Sequence, residues 1–330
     1  SAPATTAFGH LQRIVRASTS PEYRRPGSPG MAWTASYAAR TLRRAGYAVV
    51  RQDTEARIWA VDYTDGHEPL LEVDGRRFKV DSVHRLGKVT GPEGIRCTVK
   101  AIEEVQAGDC GFVPFATASP EWKNPSANAA GAVQQIIDKG GVGAVVQGDT
   151  TREAVFALQV SKPLPAVVAV VDEADVVNRS VRLRAMGSFQ PTPIKKVVGV
   201  RRPALGTSDY VMLLAHADGW YQAAADNAGG TAAVLRTAEL LARIPPRVGV
   251  VAALVDGEET GYWGTKALVH ALQAGLHVGD GGPPLRMSDL HTVINLDAST
   301  ARASEVQDPV HGATGTDAPV FSWRTMVFSE

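Results

Sequence analysis

His216-Ala-Asp218, Asp226-Asn227, Glu258-Glu259 and Asp297 form an ordered set of one imidazole and several carboxylates. That ligand chemistry suits divalent ions of borderline hardness, zinc above all, with one carboxylate bridging two of them. Each is expected where a strand should end, and the preceding runs are Tyr210 to Ala215, Val248 to Val255 and Thr292 to Leu296. In an open α/β sheet, sites are built at the carboxyl ends of the strands.

Each motif also has a plainer reading. Asp218 can accept the free N–H of His216 and fix the tautomer of a metal ligand; the alternative is a buried histidine with a local hydrogen bond. Asp226-Asn-Ala-Gly-Gly230 can place a bridging carboxylate on tightly turned backbone, or it can simply cap a helix. Glu258-Glu259 is the decisive pair. Adjacent side chains diverge, so Glu259 can bind metal while unligated Glu258 faces the water on it and carries its proton to the leaving amine. Two adjacent glutamates usually mark a solvated turn, but these follow the apolar run Val250 to Val255. Asn295-Leu-Asp297 ends the next strand and offers a terminal carboxylate.

The elements that hold these residues follow from periodicity. Thr34, Ala38, Leu42 and Ala45 recur at helical spacing, which predicts a helix over 31–45 stopped by Gly46, with a strand over 47–51. Arg24 to Gly30 is turn-rich. Helices are expected over 127–139, 230–244 and 266–274, and strands over 142–146 and 166–171. From 210 onward, strand, loop and helix repeat. The expected fold is α/β: a mixed, mostly parallel sheet between helices. Residues 58–200 have a different character, short strands with turn signals, and are expected to form a β-rich insert. That divides the chain into 1–57 with 201–330, and 58–200.

The chain has 330 residues, 44% of them hydrophobic and 21% charged, with net charge +0. This ordinary globular balance gives no electrostatic reason to expect nucleic acid or an anionic membrane as partner. No apolar run is long enough to predict a membrane-spanning helix. The opening Ser-Ala-Pro-Ala-Thr-Thr-Ala reads as a mature N-terminus left by signal removal, or as a chosen boundary. Cys97 and Cys110 are the only cysteines. In an exported protein they are expected to form a disulfide; otherwise they are two buried thiols.

Taken together, the motifs resemble those of the secreted bacterial di-zinc aminopeptidases, the zinc exopeptidases of the aminopeptidase Y type. His216-Ala-Asp218, Asp226-Asn-Ala-Gly-Gly230, Glu258-Glu-Thr-Gly261-Tyr-Trp-Gly264 and Asn295-Leu-Asp297 follow that family's order. Arg25-Pro-Gly-Ser-Pro-Gly30 is similar to its opening segment. Ala130-Gly-Ala-Val133, Gly140-Gly-Val-Gly-Ala-Val145 and Leu164-Pro-Ala-Val167 resemble, more loosely, a protease-associated domain inserted at 58–200. The resemblance implies that His216 and Asp297 bind one zinc ion, Glu259 binds the other, and Asp226 bridges them. Glu258 is then the general acid/base, with Asp218 as the catalytic residue behind His216. The implied protein is secreted, carries two zinc ions, and removes residues from peptide or protein N-termini. Nucleic acid and membrane partners are not implied.

One family feature is not found. The zinc at Glu259 needs a fifth ligand, a histidine well downstream. Gly315-Thr-Asp-Ala-Pro-Val-Phe321 resembles the segment before it, and the chain ends at Phe328-Ser-Glu330 near where that histidine is expected. The simplest reading is an incompletely represented C-terminus with an incomplete second zinc site; His311 reads as a loop histidine. Two other functions fit the same residues: a single-zinc glutaminyl cyclase-like enzyme, and a non-catalytic peptide-binding protein on a degenerate exopeptidase scaffold. Trp220, Tyr221, Tyr262 and Trp263 flank the motifs and are candidates for a side-chain pocket, or for core packing.

Overall fold

The computed structural model describes residues 6–19, 21–83, 89–114, 125–148, 161–204, 208–297 and 323–326. Along the chain the elements are α1 (Ala7–Ala17), α2 (Pro29–Arg44), β1 (Ala48–Val61), β2 (Leu70–Val73), β3 (Arg76–Phe78), β4 (Val80–Val83), β5 (Ile95–Ala101) and β6 (Cys110–Val113). They continue with α3 (Pro125–Asp138), β7 (Gly143–Gln147), β8 (Ala166–Ala169), α4 (Glu173–Val176), β9 (Ser180–Arg184) and β10 (Gly187–Arg201). The last group is β11 (Tyr210–His216), α5 (Gly230–Leu241), β12 (Gly249–Val255), α6 (Trp263–Ala274), β13 (Leu290–Leu296) and β14 (Trp323–Met326). They divide into two compact units, 1–56 with 191–330, and 57–190. Residues 191–200, placed with the insert on sequence, therefore group with the first unit, because β10 pairs with β12 there.

The first unit holds a six-stranded mixed sheet in the order β1-β10-β12-β11-β13-β14. Its centre is parallel: β11 pairs in parallel with both β12 and β13. β10 on β12 and β14 on β13 are antiparallel. All seven residues of β12 are buried, as expected of a central strand covered on both faces. Side chains alternate across the sheet. Leu213, Ala215, Val250, Ala252 and Leu254 pack with Ile14, Met31, Leu42 and Leu235 of α1, α2 and α5. Met212, Leu214, Val251, Ala253 and Val255 pack with Leu268 and Leu272 of α6.

Helix α2 starts where local chemistry says it should. The Ser28 hydroxyl accepts from Met31 N at 3.1 Å, and Pro29 takes the first helical position, where no N–H is needed. Thr34, Ala38 and Leu42 are buried along one face. Helix α1 was not anticipated; Ile14 is buried, and Leu11 and Val15 pack against the same core at helical spacing.

The second unit has an eight-stranded sheet in the order β3-β2-β9-β5-β6-β7-β8-β4. β5, β6, β7 and β8 run parallel, with antiparallel pairs outside them. Its two separate apolar clusters centre on Phe112, Val145 and Val167, and on Val133, Ile136 and Val146. Cys97 and Cys110 are disulfide-bonded, with Cα atoms 5.7 Å apart. No described helix is long and apolar enough to cross a membrane.

Candidate metal centre

The site is assembled at the carboxyl ends of the three parallel strands. His216 is the last residue of β11, and Asp297 directly follows β13. Asp226 lies in a short irregular helical segment before α5. Its dihedrals are non-helical (φ −120°, ψ 91°), and the Asp226–Asn227 peptide bond is cis. Asn227 fixes this turn from both sides. Its Nδ2 donates to Leu296 O at 2.7 Å, and its Oδ1 accepts from Gly230 N at 2.9 Å. Thus Asn227, not Asp226, does the local capping. A side chain at Gly230 would meet Asn227 Oδ1 at 2.2 Å and Leu296 O at 2.3 Å, so only glycine lets the helix begin this close.

His216 Nε2 is 3.0 Å from Asp226 Oδ1 and 3.3 Å from Asp297 Oδ1. One donor atom from each of the three residues lies within 4.8 Å of the others. Two ligand atoms about 2.1 Å from a tetrahedral ion would be roughly 3.4 Å apart, so the spacing is close to that of a ligand shell. Behind the ring, Asp218 Oδ1 is 3.4 Å from Nδ1. Nδ1 is buried and, among the described residues, has no hydrogen-bond partner. Asp218 is wholly buried and also accepts from Glu258 N at 3.3 Å and Glu259 N at 3.2 Å. One carboxylate therefore ties the end of β11 to the turn after β12.

The charges call for a cation. Burial disfavours a charged His216, but Asp218, Asp226 and Asp297 outweigh it and push its pKa up to about 12. Burial, then the negative charges of Asp226 and Asp218, raise Glu259 to about 8. Glu258 is also raised, first by burial, with His216 opposing. A divalent ion would relieve this repulsion and take the imidazole lone pair in exchange for a proton. The donor set thus fits zinc, with Nε2 free to ligate and Nδ1 turned towards Asp218.

The remaining sequence candidates fall around this cluster. Glu259 is not one of the three converging donors; its Oε2 accepts from Trp220 Nε1 at 3.0 Å. Glu258 is half-buried within range of the charges of His216, Asp218, Asp226 and Asp297. Tyr221 packs edge-on against Tyr23 at 5.4 Å, and Trp263 donates to Thr260 O at 3.1 Å. Tyr262 is 57% exposed. His311 and 315–321 lie outside the described residues.

Two residues central to the site were missed. Arg24 is fully buried. It donates to Ala217 O at 3.0 Å, Gln222 O at 2.7 Å, Ala223 O at 2.9 Å and the Ser18 hydroxyl. It thereby clamps the loop between His216 and Asp226. Burial lowers its pKa to about 10, while Asp218, Asp226 and Glu259 hold it charged. Asp256 is buried next to Asp218, and burial together with that neighbour pushes its carboxyl well above its ordinary value. It braces the turn by accepting from Lys195 N at 3.1 Å.

Removing Arg24 should be costly. Arg24→Met leaves three carbonyls without their donor and strips a buried positive charge from among carboxylates. A loss of about 3–5 kcal/mol is expected. Arg24→Lys should recover only part of it, because an ammonium cannot reproduce the guanidinium fork. Thermal or urea unfolding measures this, and a loss below about 1 kcal/mol for Arg24→Met would contradict the clamp.

Comparison with known proteins agrees with this geometry. Residues 196–321 match peptidase family M28, a segment that contains all four motifs. Over that segment the chain resembles peptidase family M28, and its sheet shares the fold of solved zinc-aminopeptidase structures. The structure is similar to BSAP, a zinc aminopeptidase from Bacillus subtilis, at 16% identity and TM-score 0.66, covering 92% of this chain and 72% of that one. It is similar to an aminopeptidase from Aneurinibacillus sp. strain AM-1 at 14% identity and TM-score 0.55, covering 90% and 71%. It is also similar to a peptidase M28 precursor from Shewanella amazonensis at 16% identity and TM-score 0.59, covering 82% and 68%. No curated protein sequence matches the chain.

Proposed function

We propose that this chain is a zinc-dependent aminopeptidase of the M28 type, with Glu258 as general acid/base. The observation that carries this reading is the convergence of His216, Asp226 and Asp297, with a half-buried Glu258 beside them. His216, Asp226 and Asp297 would hold one ion, and Asp226 with Glu259 would contribute to a second. Zinc, when bound, acts as a Lewis acid towards the peptide carbonyl and brings a bound water's pKa to about 7. Glu258 takes a proton from the attacking water and returns it to the departing amine. Its raised pKa brings it nearer to neutrality, where a shuttle works best. Asp218 is a positioning residue: its carboxylate lies 3.4 Å from Nδ1 of the His216 ring and receives both glutamate N–H groups. The surplus carboxylates favour a substrate ammonium, which supports cleavage at a free N-terminus.

Residues 57–190 are read as a protease-associated insert. Secretion is supported by the Cys97–Cys110 disulfide, since such bonds persist outside reducing compartments. A one-ion, cyclase-like chemistry is the second reading. It is favoured by the convergence of only three donors on one position among the described residues; zinc stoichiometry separates the two.

The test is hydrolysis of aminoacyl anilides. A free-amine substrate should be cleaved, the activity should vanish on chelation, and added zinc should restore it. The N-acetylated substrate should be cleaved at least tenfold more slowly. Chelator-resistant turnover, or equal rates on the two substrates, would overturn the proposal.

A further inference from the structure

A second site lies on the helical side of the first unit. A cavity of about 520 Å³ opens between α1, α2 and α5, within the size range of small-ligand sites. Its walls carry Arg13 of α1, Arg44 of α2, Arg236 of α5, and Arg243 just beyond α5. Among the described residues, the only acid in the wall is Glu239. Its carboxylate is already engaged by Arg236 at 3.1 Å and by His10 Nε2 at 3.3 Å. His10 is buried, its Nδ1 is 2.7 Å from the Tyr37 hydroxyl, and burial lowers its pKa despite Glu239. It is therefore neutral and adds no charge.

The charge left over defines the ligand. Four guanidiniums and one carboxylate give +3. Arg44 closes α2, and Arg243 lies two residues past α5. Each helix C-terminus contributes about half a negative charge, which leaves roughly two positive charges facing the cavity. Arg44 and Arg243 are exposed and make no ion pair among the described residues. The chain as a whole has net charge +0, so the surplus is local to this concave surface. Guanidinium groups match the paired oxygens of phosphoryl and similar oxyanions. None of the residues of the candidate metal centre lines the cavity.

We infer that the cavity between α1, α2 and α5 binds a small dianionic oxyanion ligand of the phosphate monoester class, separately from the peptidase site.

Calorimetric titration of the zinc-loaded protein with phenyl phosphate tests this, with benzenesulfonate as the singly charged comparison. One saturable site is expected, with phenyl phosphate bound at least tenfold more tightly than benzenesulfonate. The double variant Arg44→Glu, Arg243→Glu should weaken phenyl phosphate at least tenfold. Arg40→Glu, an exposed residue of α2 outside the cavity, should change it less than threefold. Absence of saturable binding would overturn the inference. So would undiminished binding in the double variant, which would place the ligand at the metal centre, or an equal loss in Arg40→Glu, which would reduce the effect to overall charge.

Discussion

Glu258→Gln is expected to lower aminoacyl anilide turnover by about 100-fold or more, with zinc content and melting temperature almost unchanged. Glutamine keeps the shape and hydrogen-bonding capacity of the side chain, so the turn after β12 should stand. That turn is held by Asp218 through the backbone N–H groups of Glu258 and Glu259, not by the Glu258 carboxylate. What is removed is a proton acceptor, and general acid–base steps are typically worth 10²–10⁴-fold. Near-normal turnover would refute the assigned role. Loss of zinc together with activity would mean that Glu258, and not its neighbour, binds the metal.

Asp226→Ala should act on the metal and spare the scaffold. Its carboxylate lies 3.0 Å from His216 Nε2, and its charge is the leading electrostatic cause, after burial, of the raised Glu259. Removing it deletes a donor, so zinc affinity should fall by more than the 10–100-fold typical of residues that only support a ligand. The metal-free protein should melt no lower than wild type, because one member of a crowded carboxylate set is gone. Asn227 and Gly230 still form the turn. Competition with a fluorescent zinc chelator measures the first effect, and calorimetry of the chelated protein the second. Zinc affinity within threefold of wild type would remove Asp226 from the ligand set.

Much of this arrangement could be read from sequence, for identifiable reasons. The runs before His216 and up to Val255 are continuous apolar stretches, as a central parallel strand requires, and Val293 and Ile294 mark a third strand before Asn295-Leu-Asp297, so these acids were legible at strand ends. Helix α2 was legible because Thr34, Ala38 and Leu42 keep a strict face and Gly46 ends it. The antiparallel strand β10 was not, because Val197, Val198 and Val200 continue straight out of strand-rich sequence and no helix marks the change. Helix α1 carries a periodic signal of its own in Leu11, Ile14 and Val15, yet it was not anticipated.

Arg24 and Asp256 were missed for a different reason. An arginine in a turn-rich segment reads as solvent-exposed, and its four acceptors lie up to 199 residues away. Asp256 stands at the start of a polar turn, and its burial beside Asp218 shows its part. Such residues are set by long-range contacts, which neither periodicity nor motif spacing encodes. The resemblance to zinc aminopeptidases led to the cluster, but not to the arginine beneath it.

The central claim is that His216, Asp226 and Asp297 form a zinc site beside an unligated Glu258. Anomalous X-ray diffraction from zinc-loaded crystals of the protein tests it most directly. The account predicts an ion within about 2.0–2.2 Å of His216 Nε2 and of carboxylate oxygens from Asp226 and Asp297. Any second ion should lie roughly 3.5–4 Å away, and the Glu258 carboxylate should ligate neither. Zinc bound elsewhere, or an ion that leaves His216 Nε2 uncoordinated, would contradict it.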